Sequence, residues 1–317
     1  MTSIAQVPSR ISISAEKTEK AERWHRVRLA AAAAGCALGM AWVAYFGSAY
    51  YLLSAAERPF SPKHHLLRPS GMIGINLGVA GVAMFAIIFL YPLRKRISWL
   101  ARRGNSQHWL DFHIVLGLTA PVLIAFHASF KFHGIAGMAF WLMLSVAISG
   151  IVGRYLYAQV PRSINSAEAT LRDLDEQTQS YSDELATQKI IPADPMRAAL
   201  HVPSPEQVQA MSLPFAVGEM IALDLMRPWR IARLRRAALH GTEKLFSLGG
   251  FLPSSHPELE QVIRAARQRS SLAKRVVFLS RAQQGLHLWH VVHRPFSYSF
   301  LVLAVVHIGV VIGLGFI

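Results

Sequence analysis

Long apolar stretches alternate with polar connecting segments along this 317-residue chain. Five of the stretches contain at most one charged residue each: 29–53, 72–93, 110–130, 135–157 and 296–317. Their lengths match the roughly 20 residues that a helix needs to cross a hydrocarbon core of about 30 Å. The pattern therefore predicts an all-α fold, a polytopic membrane bundle of five transmembrane helices with a helical insertion.

The apolar stretches divide the chain into four parts. Residues 1–28 form a polar N-terminal segment, 29–157 hold the first four spans, 158–292 form a hydrophilic insertion, and 293–317 hold the fifth span. Within the insertion, residues 164–189 and 256–286 are patterned as helices, residues 191–207 as a turn-rich linker, and residues 215–239 as a helix broken near Pro228. We expect the N-terminal segment and the insertion to be cytoplasmic.

The net charge of +15 is informative mainly through the positions of the basic residues along the chain. In a soluble protein it would suggest nucleic-acid binding, but here basic clusters such as 23–28, 94–96 and 101–103 stand at span ends on one side. This positive-inside bias predicts an inner-membrane protein that contacts lipid and no nucleic acid, with the N-terminus in the cytoplasm and the C-terminus outside. The polar start also lacks the pattern of a cleaved signal peptide, so we expect the first span to be retained.

Several cofactor classes are excluded by the residue inventory. Cys36 is the only cysteine, and one thiol cannot form an intrachain disulfide, ligate an iron–sulfur cluster or attach a c-type haem. The insertion also contains no G-x-G-x-x-G fingerprint, no phosphate-binding loop and no Cys/His zinc pattern. An intrinsic nucleotide-binding reductase domain is therefore not expected.

Histidines repeat at one interval in two of the spans. His113 and His127 in the third span are 14 residues apart, as are His293 and His307 in the fifth. Fourteen helical residues turn through about 1400°, nearly four whole turns, and rise by about 21 Å, so each pair shares one face. Because both spans are predicted to run outward, His113 lies level with His293 and His127 with His307. Two such imidazole pairs are suited to hold the iron of two stacked b-type haems.

Other polar residues near the spans carry weaker expectations. His290 lies about 100° away from the face of His307, but Pro295 can rotate the helix start, so His290 is kept as a reserve ligand. Arg154 and Arg294 are predicted to pair with haem propionates, although each also fits as a positive-inside anchor. The remaining histidines near the spans are interpreted as interfacial or hydrogen-bonded: His25, His64, His65, His108, His133 and His287.

The two His-x13-His segments, HIVLGLTAPVLIAFH at 113–127 and HRPFSYSFLVLAVVH at 293–307, resemble those of diheme b-type membrane cytochromes. That group includes cytochrome b of quinol oxidoreductases and the ferric-reductase-like transmembrane proteins. The resemblance implies noncovalent haem b in two sites, with electrons carried across the membrane. It covers the third to fifth spans alone, so a quinone site is not carried over with it.

The leading hypothesis is transmembrane electron transfer through two bis-histidine haems, by a subunit of a respiratory redox complex that works with partner proteins or quinone. The chain would then be an oxidoreductase component without a catalytic residue of its own. Two alternatives stay open. The histidines could line a proton or metal transporter, or the chain could be a haem-free membrane anchor.

Overall fold

The structure is a computed structural model of the chain. It describes residues 10–94, 96–160, 190–239 and 247–315, together with positions 176, 179 and 183, and for residues 10–19 it describes the backbone alone. The predicted helix at 164–189 therefore lies almost wholly outside the described residues. Within the described part of the chain the secondary structure is helical, without strands.

The helices are numbered here in chain order. They are α1 (Arg10–Tyr51), α2 (His64–Leu67), α3 (Met72–Arg94), α4 (Ser98–Ala101), α5 (Ser106–His127), α6 (Gly134–Gln159), α7 (Ala193–Leu200), α8 (Pro205–Ala210), α9 (Leu213–Ala238) and α10 (Pro257–Gly313), with a short 3-10 turn at Arg58–Phe60.

Among these, α1, α3, α5, α6 and α10 are long and apolar enough to cross a membrane. The prediction of an all-α, five-span membrane protein is confirmed at this level. Local composition predicts these helices because an apolar segment in hydrocarbon has no water to bond its backbone, and a helix satisfies its backbone N–H and C=O groups within the segment itself. The helices α1 and α10 also extend well beyond their apolar runs, and α10 reaches 57 residues.

Prolines do not interrupt the helices in the way that the sequence pattern suggested. Pro228 lies inside α9, so the predicted break near it is wrong. Proline removes one backbone hydrogen bond, but α9 buries Ile231, Ala232 and Leu234 directly after it, and packing offsets that loss. Pro295 likewise lies inside α10 and does not start a new helix.

The prediction of a turn-rich linker at 191–207 is also wrong, because this segment contains α7 and the start of α8. The side chain of Ser204 accepts a hydrogen bond from the backbone of Gln207, and the side chain of Gln207 bonds back to Ser204. Pro205 occupies the first turn of α8, where no backbone N–H is needed. A capping box thus nucleates a short helix in a segment whose proline content resembles a loop.

The chain separates into two compact units. The first comprises residues 1–151 and 293–317, and its core joins Ala125 of α5, Phe140 and Met143 of α6, and Phe300 of α10. Phe85 of α3 meets Phe300 edge to face at 4.8 Å. The second unit, Val152–Val292, buries two clusters around Leu234 and Ile263 and around Met220 and Phe278.

Candidate functional site

His113 is held by the neighbouring helix α3. Its Nδ1 lies 3.1 Å from the backbone oxygen of Ile88, and its half-buried ring lies 5.3 Å from that of Tyr91. A carbonyl oxygen can only accept, so Nδ1 carries the proton in this bond. The other ring nitrogen, Nε2, is thereby left unprotonated, with its lone pair available to a ligand.

His127, the last residue of α5, is held by α3 in the same way. Its Nδ1 lies 2.8 Å from the backbone oxygen of Gly74. One turn further along α3, a Cβ added at Gly78 would lie 2.8 Å from Cε1 of His127, closer than a side chain permits. Glycine at position 78 is therefore needed for the imidazole to lie against α3.

The chain directly after His127 is fixed by buried polar contacts. Ser129 and Phe130 adopt left-handed conformations with φ of 49° and 58°, and Ser129 is fully buried and donates its hydroxyl to the oxygen of Leu67. The buried guanidinium of Arg58 donates to backbone oxygens of Ser129, Tyr51 and Leu53. Such strain persists only where surrounding contacts hold it, and these contacts fix the C-terminal end of α5.

His293 of α10 is anchored by a side chain of α6. Its Nδ1 lies 2.8 Å from Oγ of Ser149, whose hydroxyl donates to the backbone oxygen of Val146 at 2.8 Å. The hydroxyl has one proton, so Ser149 accepts from His293 and Nδ1 is again the protonated nitrogen. The tautomer of His293 is thus the same as that of His113 and His127.

His307 lies 14 residues beyond His293 on α10 and is half-buried. The residues shortly before His127 and His307, Ala125 of α5 and Ala304 of α10, belong to one hydrophobic cluster. Both histidines are near the C-terminal ends of their helices, so α5 and the last part of α10 run in the same direction. His113 and His293 each lie about 21 Å earlier on the same helices, and their pairing at one depth stays a prediction.

The secondary candidates have other surroundings. Nδ1 of the reserve ligand His290 bonds the oxygen of Leu286 in its own helix at 2.9 Å. Arg154 and Arg294 are both exposed, so their pairing with haem propionates stays a prediction.

A second histidine group joins the start of α5 to α1. His25 is 7% exposed, lies 3.0 Å from the carboxylate of Asp111 and stacks on His108 at 3.6 Å. His108 in turn lies 3.4 Å from the carboxylate of Glu22. The hydrogen-bonded interpretation of His25 and His108 fits this arrangement. The sequence does contain a signal for this group, because an acidic residue and a histidine lie three residues apart on both helices, Glu22 and His25 on α1 and His108 and Asp111 on α5.

An apolar cleft of about 420 Å³ lies between α3 and α10. Its walls include Phe85 and Phe89 on one side and Leu301 and Ala304 on the other. Arg96, just beyond the end of α3, and Tyr298 supply its polar groups. A cleft of this size and polarity accommodates a hydrophobic ring compound or an acyl chain. Sequence reasoning did not find it, because its two walls are more than 200 residues apart in the chain.

The predicted ligands are separate imidazoles, whose chemistry is compatible with axial ligation of haem iron. Within the described residues, no group of three or more His, Cys, Asp or Glu side chains could hold a metal ion. Haem needs only axial protein ligands, and imidazoles whose Nδ1 is bonded to an oxygen are typical of metal-ligating histidines. A Cβ at Gly117, one turn beyond His113, would meet nothing within 4 Å, which leaves open space beside that face of α5.

Comparison with known proteins adds no relative. No family model matches the chain, and neither a curated protein nor a solved structure matches it. The chemistry of the histidines is therefore the basis for a functional interpretation.

Proposed function

We propose that this chain is a membrane cytochrome that carries electrons across the bilayer through two b-type haems. His113 and His293 would hold the haem nearer the cytoplasm, and His127 and His307 the outer one. The observation that carries the proposal is the fixed tautomer of His113, His127 and His293, with Nδ1 bonded to an oxygen of an adjacent helix. In the proposed topology the N-terminus is cytoplasmic and the C-terminus outside the inner membrane.

Bound haem supplies reversible one-electron chemistry at its iron. The chain supplies the rest. The hydrogen bonds at Nδ1 fix the ring orientation and raise the basicity of the opposite nitrogen, which tunes how well each imidazole donates. The apolar residues around α5 and α10 keep water away and favour the less charged redox state.

The same contacts argue against a proton relay. A relay histidine must exchange the protons of its two nitrogens, and ring rotation often serves that exchange. The oxygens of Ile88 and Gly74 are fixed in the backbone of α3, and each holds its histidine in one orientation. Metal transport has similarly little support, since the described residues contain no three-ligand group.

The cleft between α3 and α10 supports a quinone as the electron donor or acceptor. Its apolar walls suit an isoprenoid tail, and the Arg96 guanidinium and Tyr298 hydroxyl can hydrogen-bond a quinone carbonyl. The hydrophilic unit Val152–Val292 then remains available for a redox partner protein, as expected of a subunit in a larger complex.

Filling the cleft tests this assignment. Leu301→Trp should abolish reduction of the protein by a short-chain quinol and leave both haems in place, because the indole fills the cleft from a position six residues before His307 and eight after His293, outside the i,i+3 and i,i+4 neighbours of either ligand. The matched variant Val302→Trp places the same side chain on an exposed position of α10. Stopped-flow reduction kinetics distinguish them, and equal rates for both variants would rule out the cleft.

Removal of one ligand tests the haem assignment. His127→Gln keeps a side-chain N–H that can reach the oxygen of Gly74, but it lacks an imidazole ligand. We expect the purified variant to retain one haem of two, measured by pyridine haemochrome. His133→Gln, at an exposed position a few residues on, should retain both. Two haems in the His127 variant would contradict the assignment.

A further inference from the structure

The second unit contains a pocket lined by basic side chains that the proposed electron transfer does not use. Helices α7, α9 and α10 form its walls, and its polar lining consists of Arg227, Arg230, Arg267, Ser270 and Lys274. Four of these five residues are cationic. The apolar floor includes Ala199, Leu223, Ile231 and Ala266, which are all buried.

A helical spacing directs these cations to one place. Arg227 and Arg230 lie about one turn apart on α9, and Arg267 and Lys274 lie about two turns apart on α10. On each helix the pair therefore shares a face, and the two faces meet at the pocket. Like charges brought together in this way repel one another, so the arrangement is destabilising unless an anion offsets it.

The carboxylate of Asp224 offsets only part of that charge. Lys274, which is 3% exposed, donates to Asp224, and so does Arg227. Arg230 donates instead to the backbone oxygen of His201 at 2.9 Å, which is neutral. Among the residues that the structure describes, one carboxylate thus faces four cations, and an excess of positive charge remains at the pocket mouth.

The position of Asp224 also places the pocket near the end of a membrane-length helix. The hydroxyl of Tyr155, in the last turns of α6, lies 2.7 Å from the Asp224 carboxylate and 2.9 Å from the backbone oxygen of Met220, and these two acceptors share its one proton. Through Asp224, the basic side chains are held beside the end of α6. Phosphate groups, both of lipid headgroups and of soluble metabolites, are available at such a position.

We propose that the pocket between α7, α9 and α10 binds a phosphate group. The enclosed space is only about 10 Å³, so the phosphate sits at the mouth and the rest of its molecule extends outward. Guanidinium groups match phosphate oxygens in bidentate geometry, and Arg230 and Arg267 supply two, with the Ser270 hydroxyl as a further donor. Lys274 acts from below as a point charge.

A pair of double variants tests the proposal in the full chain. Arg230→Gln/Arg267→Gln removes two cations from the pocket and leaves the contacts of Asp224 intact. Arg233→Gln/Arg264→Gln removes two exposed arginines from the same helices outside the pocket. Both variants change the net charge equally, so nonspecific electrostatic attraction affects them alike.

Binding is measured with two probes, pyrophosphate added to protein in neutral detergent and nanodiscs containing phosphatidic acid in a phosphatidylcholine background. We expect the pocket variant to bind at least about tenfold more weakly than the wild type and the control variant to bind as the wild type does. Binding of pyrophosphate identifies a soluble phosphate source, whereas binding of phosphatidic acid alone identifies a lipid headgroup. Equal binding by both double variants, or no binding of either probe by the wild type, would overturn the proposal.

Discussion

At the scale of single residues, the candidate site depends on what lies behind each imidazole. A histidine binds its metal more weakly when the ring nitrogen that faces away from the metal loses its hydrogen-bond acceptor, because the ring orientation and the basicity of the ligating nitrogen both change. In this chain the acceptors are two backbone oxygens, of Ile88 and Gly74, and one side-chain oxygen, of Ser149. Only the last can be removed by substitution.

Ser149→Ala should therefore weaken haem binding at the His113/His293 site by about 10- to 100-fold, with the other site unaffected. Ser297→Ala is the matched control, since the Ser297 hydroxyl bonds the backbone oxygen of His293 and not its ring. Haem dissociation to apomyoglobin measures both. Similar dissociation rates for the two variants would show that the Ser149 contact does not support a ligand.

Sequence could predict the four histidines but not these acceptors. The 14-residue spacing is visible within one helix, whereas the His127–Gly74 and His293–Ser149 bonds join positions 53 and 144 residues apart. Gly78 could be suspected only from its spacing of four residues after Gly74, a pattern that also occurs wherever two membrane helices pack closely. The sequence of one helix does not specify which neighbouring helix its side chains will contact.

At the scale of elements, the apolar runs predicted the five spans because about twenty predominantly apolar residues in a row form few structures besides a membrane helix. The same local reasoning failed at Pro228 and at α8. In both places contacts outside the local pattern, the buried side chains beyond Pro228 and the capping box at Ser204, outweighed the proline.

A buried ion pair makes the second unit sensitive to acid. Arg235, which is 3% exposed, donates through two nitrogens to Glu260 at 2.7 and 2.8 Å. Burial alone would raise the pKa of Glu260, but the hydrogen bonds from Arg235 and Ser254 hold it below its ordinary value of 4.5. The stability from this lowered pKa is fully present above pH 4.5 and is lost as the pH falls through the folded-state pKa.

Glu260→Gln should destabilise the second unit by about 3 kcal/mol at neutral pH, because it leaves the Arg235 guanidinium buried without a counter-charge. It should also flatten the fall in stability below pH 4.5. Glu258→Gln changes the same charge in the same turn at an exposed position and serves as the control. Thermal unfolding across that pH range measures both, and an unchanged acid profile for Glu260→Gln would contradict the assignment.

At the scale of the whole molecule, the two compact units differ in the side chains that they present. The unit with the apolar helices carries the four spaced histidines and the apolar cleft, and its membrane-length runs hold few charged residues. The hydrophilic unit carries the proposed phosphate pocket and, among the described residues, the ion pairs that Asp224 forms with Arg227 and Lys274 and that Glu260 forms with Arg235. Electron transfer is proposed for the first unit and anion binding for the second, so each can fail without the other.

The most direct measurement is the reduced-minus-oxidised optical spectrum of the detergent-purified protein, with haem quantified against protein. We expect low-spin b-type spectra and two haems per chain, because α5 and α10 each offer two imidazoles. Protein that remains free of haem, when it is expressed with an adequate haem supply, would contradict the assignment of the four histidines as haem ligands.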